Sequence, residues 1–216
     1  MDESLSATPL RSPLALVVLA LLYEAPTHPY RMHQMIKERG KDKVVNVAQR
    51  SSVQQVVHRL ARDGLVEELT PEDPGGTAGS YPARVAYRIT ESGTRTLFGW
   101  LHDTLAHPVQ EFPRFTAALA FLSLTSPATA ADLLQARRAT LVPTIEARAA
   151  DLAASPLPRV LLIEESYTVA MARAELAWID ATIEQLRDGT LTWDTQHLIA
   201  TADHLRDLAL GNDPDQ

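Results

Sequence analysis

Residues 71–83, PEDPGGTAGSYPA, are dense in glycine and proline, in a chain whose other apolar residues mostly recur at helical intervals. A short strand candidate, LVEELT, precedes them. After them RVAYRIT alternates, with Val85, Tyr87 and Ile89 on one face and Arg84, Ala86 and Arg88 on the other. Two strands around such a loop read as a hairpin with a long tip. Gly75, Gly76 and Gly79 make the tip mobile but have neither Walker nor dinucleotide-loop spacing, so a nucleotide-binding reading fails. One hairpin set among helices leaves few architectures open.

Upstream, LALVVLALLY (residues 14–23) is apolar on all sides and reads as a buried helix. At ten residues it is too short to cross a bilayer, which takes about 20. Asp2 and Glu3 precede it, and EAPTHPY follows in place of a small-residue cleavage site, so it does not read as a signal peptide. A cytoplasmic location is expected. The prolines of EAPTHP end this helix and open a second, from about Pro29 to Arg39, with Met32, Met35 and Ile36 inward and Gly40 as its stop.

The third helix, RSSVQQVVHRLARDGL (residues 50–65), has two distinct sides. Val53, Val56, Val57 and Leu60 share one, while Ser52, Gln54, Gln55, His58, Arg59 and Arg62 cover the other, with no acid before Asp63. Amides, hydroxyls and cations are the groups that hydrogen-bond base edges and phosphates. Three helices followed by a hairpin, with the third polar on its outer side, is the plan of a winged helix-turn-helix.

Thr90 caps a further helix in which Leu97, Trp100, Leu101 and Leu105 share a face, closed by His107 and Pro108. From there the pattern is all-helical. Phe112, Phe115, Leu119 and Leu122 fall at helical spacing in residues 112–124. Leu134, Leu141, Ile145 and Leu152 stripe residues 127–153, where Pro143 predicts a kink or a break. Over residues 159–188, Leu162, Val169, Leu176 and Ile183 recur at seven, with Ala172, Ile179 and Leu186 between them. The heptads alone leave open whether this seam packs within the chain or across a dimer. A last helix is expected over about 194–210. The fold class is therefore mainly α: an N-terminal winged helix-turn-helix of three helices and a hairpin with its linking helix, residues 1–107, then an all-helical region, residues 108–216.

Charge follows the same division. The net charge of −7 argues at first against a nucleic-acid partner, but residues 1–90 hold eleven Lys and Arg against ten Asp and Glu, while residues 91–216 hold nine against seventeen. Within residues 31–62, eight cations face two acids. That local excess attracts phosphate whatever the total. Cysteine is absent, which excludes disulfides, thiolate metal sites and a cysteine nucleophile.

In order and spacing, LALLYEAPTHPYRMHQMI, SSVQQVVHRLARDGLVEE, YRITESGTRTLFGWL and YTVAMARAELAWIDATIEQL resemble the PadR-type transcriptional regulators along nearly the whole chain. The resemblance implies a winged-helix DNA-binding domain, a helical C-terminal dimerisation region and, usually, repression of nearby genes, relieved in several members by a small molecule. The chain departs from the family pattern twice. His28-Pro29-Tyr30 stands where His-Gly-Tyr is common, and Gln54 stands where a Tyr often does; Gln can read adenine through two hydrogen bonds.

On this basis Ser51, Ser52, Gln54, Gln55 and His58 are expected to approach bases, and Arg50, Arg59 and Arg62 to hold phosphates or bases. Tyr30, Arg31, Gln34 and Lys37 of the second helix would position the backbone. Arg84 or Arg88 would serve the wing. The seam of Leu162, Val169, Ala172, Leu176, Ile179, Ile183 and Leu186 is assigned to dimerisation. Trp100, with Tyr167 and Trp178, is the candidate contact for a flat aromatic or apolar effector. The expected partners are a pseudo-palindromic double-stranded operator, read by two third helices about 34 to 36 Å apart, and a second copy of the chain. No cofactor and no membrane partner are expected.

Two rival readings belong to other classes. His102, His107 and Glu111, or His197, Asp203, His204 and Asp207, could converge on a metal, but no H-E-x-x-H or similar motif occurs, and solvated or capping roles explain them. The polar helix face could serve a protein partner in a dimeric interaction module. No nucleophile elbow, Ser-His-Asp order or convincing carboxylate pair points to an enzyme.

Overall fold

The computed structural model describes residues 10, 12–69 and 85–199. The chain divides into two units, Met1–Gln110 and Glu111–Gln216. The first holds α1 (Pro13–Glu24), α2 (Pro29–Glu38), α3 (Arg50–Arg62), β1 (Val66–Leu69), β2 (Ala86–Ile89) and α4 (Glu91–Ala106). The second holds α5 (Arg114–Leu119), α6 (Pro127–Ala154) and α7 (Ile163–Asp188), with 3-10 turns before α6 and α7. This is a winged helix-turn-helix followed by a helical C-terminal region.

In the first unit α1 is the core. Leu14, Val18, Leu19 and Leu22 are buried against Met32 and Ile36 of α2, Val53, Val57 and Leu60 of α3, and Leu97 and Trp100 of α4. Each such side chain contributes roughly 1.5–3 kcal/mol by leaving water. Two local devices then aim α3. At its C-terminus Gly64 adopts φ 70°, and the N–H groups of Leu65 and Gly64 bond the carbonyls of Leu60 and Ala61, a Schellman stop that glycine permits. At the turn before it, buried His33 places Nε2 3.3 Å from the Val47 carbonyl oxygen. A histidine read from sequence alone gives no sign of that tie.

β1 and β2 pair antiparallel, Val66 opposite Ile89 and Leu69 opposite Ala86. Thr27, just before α2, adds an isolated bridge on the other edge of β2 by exchanging two backbone hydrogen bonds with Tyr87, at 3.0 and 2.9 Å. The clean alternation read in RVAYRIT does not hold. Ala86 and Tyr87 are both buried and Val85 is exposed: Tyr87 joins the core of the first unit, and Ala86 stands opposite buried Leu69 at the far end of the pairing. Arg84 and the tip glycines lie outside the described residues.

α4 starts where α3 ends. Thr90 donates its hydroxyl to the Gly64 carbonyl, its N–H bonds the Leu65 carbonyl, and its Oγ1 caps the N–H of Gly93. Leu97 and Trp100 face the core as expected, whereas Leu105 is exposed.

In the second unit α6 and α7 run antiparallel, tied by Arg137–Glu175 (2.5 Å), Arg138–Asp180 (2.6 Å) and Arg148–Glu165 (3.4 Å). Ala130, Ala131 and Leu134 pack on Ile179, Ile183 and Leu186. Of the kink or break expected at Pro143, the break does not occur: α6 is continuous through it. Pro143 and Ala139, whose carbonyl loses its helical partner, both face solvent, so water can satisfy that oxygen. The helix read over 112–124 is shorter, with Phe112 exposed ahead of α5 and a 3-10 turn at Leu122–Leu124. Of the expected last helix only 195–199 is described, and it is helical.

Candidate nucleic-acid interface

α3 separates its two sides as its spacing requires. Val53, Val56, Val57 and Leu60 are buried, while Ser51, Gln54, Gln55, His58 and Arg62 are exposed and Ser52 is partly so. Arg50 opens the helix; its side chain lies outside the described set. Arg59 differs from its neighbours, being partly buried with Nη2 out of contact with solvent and without a hydrogen-bond partner.

α2 brings up the flanking groups. His28 caps it, with Nδ1 accepting the N–H of Arg31 at 3.0 Å. Gln34 donates to the Tyr30 hydroxyl at 3.4 Å, and Lys37 is exposed. Arg31 is held by Glu38 at 2.9 Å and Arg88 by Glu67 at 2.6 Å, so each of these arginines already faces an acid. Arg39 closes on Glu24 through two hydrogen bonds of 2.7 Å, which hold the Glu24 carboxyl below its ordinary range against the opposing effect of partial burial. The cationic excess read from the sequence is thus partly neutralised within the unit. Among the α3 cations expected to hold phosphate or bases, Arg62 presents its side chain to solvent.

Between the first turn of α2, α3 and β2 lies a cavity of about 320 Å³. His28 and Tyr30 line one side, Gln54 and His58 another, and Val85 and Tyr87 a third. Burial and the carboxylate of Glu68, to which its hydroxyl donates at 3.0 Å, push the Tyr87 phenol up to about 12. His28 and this cavity are features that reading the helices one at a time misses, since the lining comes from three elements.

The seam assigned to dimerisation is partly covered within the chain. Val169, Ile179, Ile183 and Leu186 are buried within a single chain, and Ala172 and Leu176 are partly so; Leu162 precedes α7 in the 3-10 turn. Ile179, Ile183 and Leu186 of the seam pack on α6, because an apolar heptad face packs on whichever helix the loop returns to it. The opposite side of α7 is also apolar: Ile163, Tyr167, Met171 and Trp178 are 67%, 66%, 52% and 44% exposed, with Ala170, Ala174 and Ala177 exposed between them.

The three aromatics expected to meet an effector are divided between the two units. Trp100 is in the core of the first unit, while Tyr167 and Trp178 are exposed on α7, Trp178 standing edge-on to Phe115 at 6.2 Å. Among the described residues no three His, Asp or Glu side chains gather as a metal site. His107 pairs with Asp103 at 3.1 Å, and Asp203, His204 and Asp207 lie outside the described residues. No described helix is long and apolar enough to cross a membrane.

No protein-family model and no curated protein matches the sequence. Solved structures do match the fold. Bacillus subtilis PadR in complex with operator DNA is 18% identical, with TM-score 0.62 over 83% of this chain and 99% of that one. The same Bacillus subtilis protein in complex with p-coumaric acid is 16% identical, with TM-score 0.62 over 81% and 98%. The Vibrio cholerae virulence activator AphA is 17% identical, with TM-score 0.61 over 81% and 98%.

Proposed function

We infer that this chain, which has the fold of the PadR-type regulators, is a sequence-specific DNA-binding regulator of transcription. The observation that carries this reading is α3: its apolar side is buried and its outer side offers Ser51, Gln54, Gln55, His58 and Arg62, with no acid before Asp63. Gln54, Gln55 and His58 read base edges, and Arg62 holds phosphate, with Tyr30 and Lys37 positioning the backbone from α2. The solved PadR complex with operator DNA supports the same use of the fold. We assign it a repressor's role in the cytoplasm, relieved by a small molecule. The solved PadR complex with p-coumaric acid supports a small-molecule partner.

The regulator acts as a homodimer on a pseudo-palindromic operator, and its self-contact is the exposed side of α7. Exposed surface on Ile163, Tyr167, Met171 and Trp178, with nearby Leu157, Val160 and Leu161, is on the order of the ~800 Å² per partner of a standard interface. The alanines between them let a second helix approach closely. A second copy is the occupant this face fits, since a two-fold contact needs one self-complementary apolar patch.

The test is binding of the purified chain to its own upstream DNA and to a scrambled duplex, each at two salt concentrations. Selective binding that weakens with salt is expected, with a log–log slope of about −0.9 per phosphate held. A folded dimer that binds neither duplex sinks the DNA-binding reading.

A further inference from the structure

The cavity between α2, α3 and β2 has a chemistry of its own. Its volume of about 320 Å³ suits a small ligand, since such pockets begin at roughly 300 Å³. Much of its wall is planar ring: the His28 and Tyr30 rings stand 6.3 Å apart at a tilt of 38°, with His58 and Tyr87 completing it.

The hydrogen bonds decide what each wall offers. His28 Nδ1 is occupied by the Arg31 N–H, so the proton of the neutral ring is assigned to Nε2, which makes that edge a donor. The Tyr87 hydroxyl is spent on Glu68, leaving its uncharged ring as the lining. Gln54 supplies an amide that donates and accepts. Among the described residues that line it, none is a carboxylate. Together these favour a flat ring with a carbonyl or anionic edge. Gln54 and His58 also belong to the outer side of α3, so whatever fills the cavity stands where base edges would approach.

We propose that this cavity is a ligand site for planar aromatic or heteroaromatic molecules bearing a carbonyl or carboxylate edge, and that its occupation releases DNA by direct exclusion. The exclusion half rests on the DNA-binding reading; the ligand half does not. Trp100, Tyr167 and Trp178 are not among its described lining, and the proposal requires no change in dimer geometry.

The experiment uses the full chain and 4-hydroxybenzoate as the probe, with cyclohexanecarboxylate as a non-planar anion of similar size. Calorimetry without DNA is expected to show one site per chain for 4-hydroxybenzoate and none for cyclohexanecarboxylate. Gln54→Ala and His58→Ala, both at exposed positions, should each weaken the probe about fivefold or more, the loss of a hydrogen bond, while Tyr167→Ala leaves it unchanged. With upstream duplex present, the apparent Kd for DNA should rise in proportion to probe concentration without a plateau. Absence of binding at about 10 mM probe, or binding undiminished in both α3 variants, overturns the ligand site. A plateau in the DNA titration overturns exclusion. A chain that takes the probe but never binds duplex refutes the DNA-binding reading and leaves the ligand site standing.

Discussion

Nε of Arg88 lies 2.6 Å from Oε1 of Glu67, directly across the hairpin, where the two residues are register partners. The acid offsets a cation at the root of the wing. Glu67→Gln is expected to raise affinity for any duplex a few-fold and to steepen the salt slope by about 1, as measured by anisotropy at several salt concentrations. A slope unchanged by the substitution removes Arg88 from the DNA-facing set.

Arg59 gives the opposite prediction. Its Nη2 is shut away from water without a hydrogen-bond partner, and such a group costs about 1–3 kcal/mol. Arg59→Met keeps the length of the stem and removes the stranded donor, so the melting temperature should rise by several degrees. A fall in Tm would mean that the guanidinium is stabilising the fold.

The two sides of α7 should respond differently to one change of chemistry. Met171→Glu on the exposed side should yield folded monomers by sedimentation, with helical circular dichroism retained. Ile183→Glu on the side facing α6 should abolish cooperative unfolding, because Ile183 is buried in the second unit and a carboxylate there has no partner. A dimer that survives Met171→Glu excludes that face.

These contrasts also mark how far the sequence is legible. The third helix is readable apart from Arg59 because its polar and apolar residues fall on opposite sides at a period of 3.6, and burial follows that split at Val53, Val57 and Leu60. The heptad seam of α7 is readable as apolar, but not as to its partner: Ile179 packs equally well on a neighbour or on α6, and chain return decides it. The second side of α7 is hard to see because alanine is equally at home on a surface and at a close helix contact. His33 bonding Val47, and Thr27 joining Tyr87, depend on chain proximity across 14 and 60 positions and leave no local pattern.

Gly93 tests the joint between α3 and α4. A Cβ at this position would stand 2.0 Å from the Leu65 carbonyl oxygen and 2.8 Å from a side-chain carbon of Ile89. Gly93→Ala must push backbone aside, and overpacking of this kind costs about 1–3 kcal/mol or more. A clear drop in Tm is expected, together with weaker DNA binding; a Tm equal to that of the parent chain would show that the joint yields freely.

Acid should loosen the pair of Glu24 and Arg39. The Glu24 carboxyl is held low by its hydrogen bonds to Arg39, so its contribution is complete above the unfolded value near 4.5 and is lost as pH falls through the lower folded value. Both side chains are about half exposed, which limits the effect to under about 1 kcal/mol. Glu24→Gln should therefore cost little at pH 7 and nothing at pH 2, compared by urea unfolding at both.

The bridge between Thr27 and Tyr87 fastens the root of the hairpin to the segment that leads into α2. Register on either side of residues 71–83 is therefore set before the chain enters that stretch and after it leaves. An inserted peptide, tag or longer tip is therefore expected to leave unchanged the pairing that ends at Leu69 and Ala86, and with it the aim of the reading helix. Related chains could thus vary tip length independently of operator choice, and an engineer could append a sensor there at no cost to the reading head.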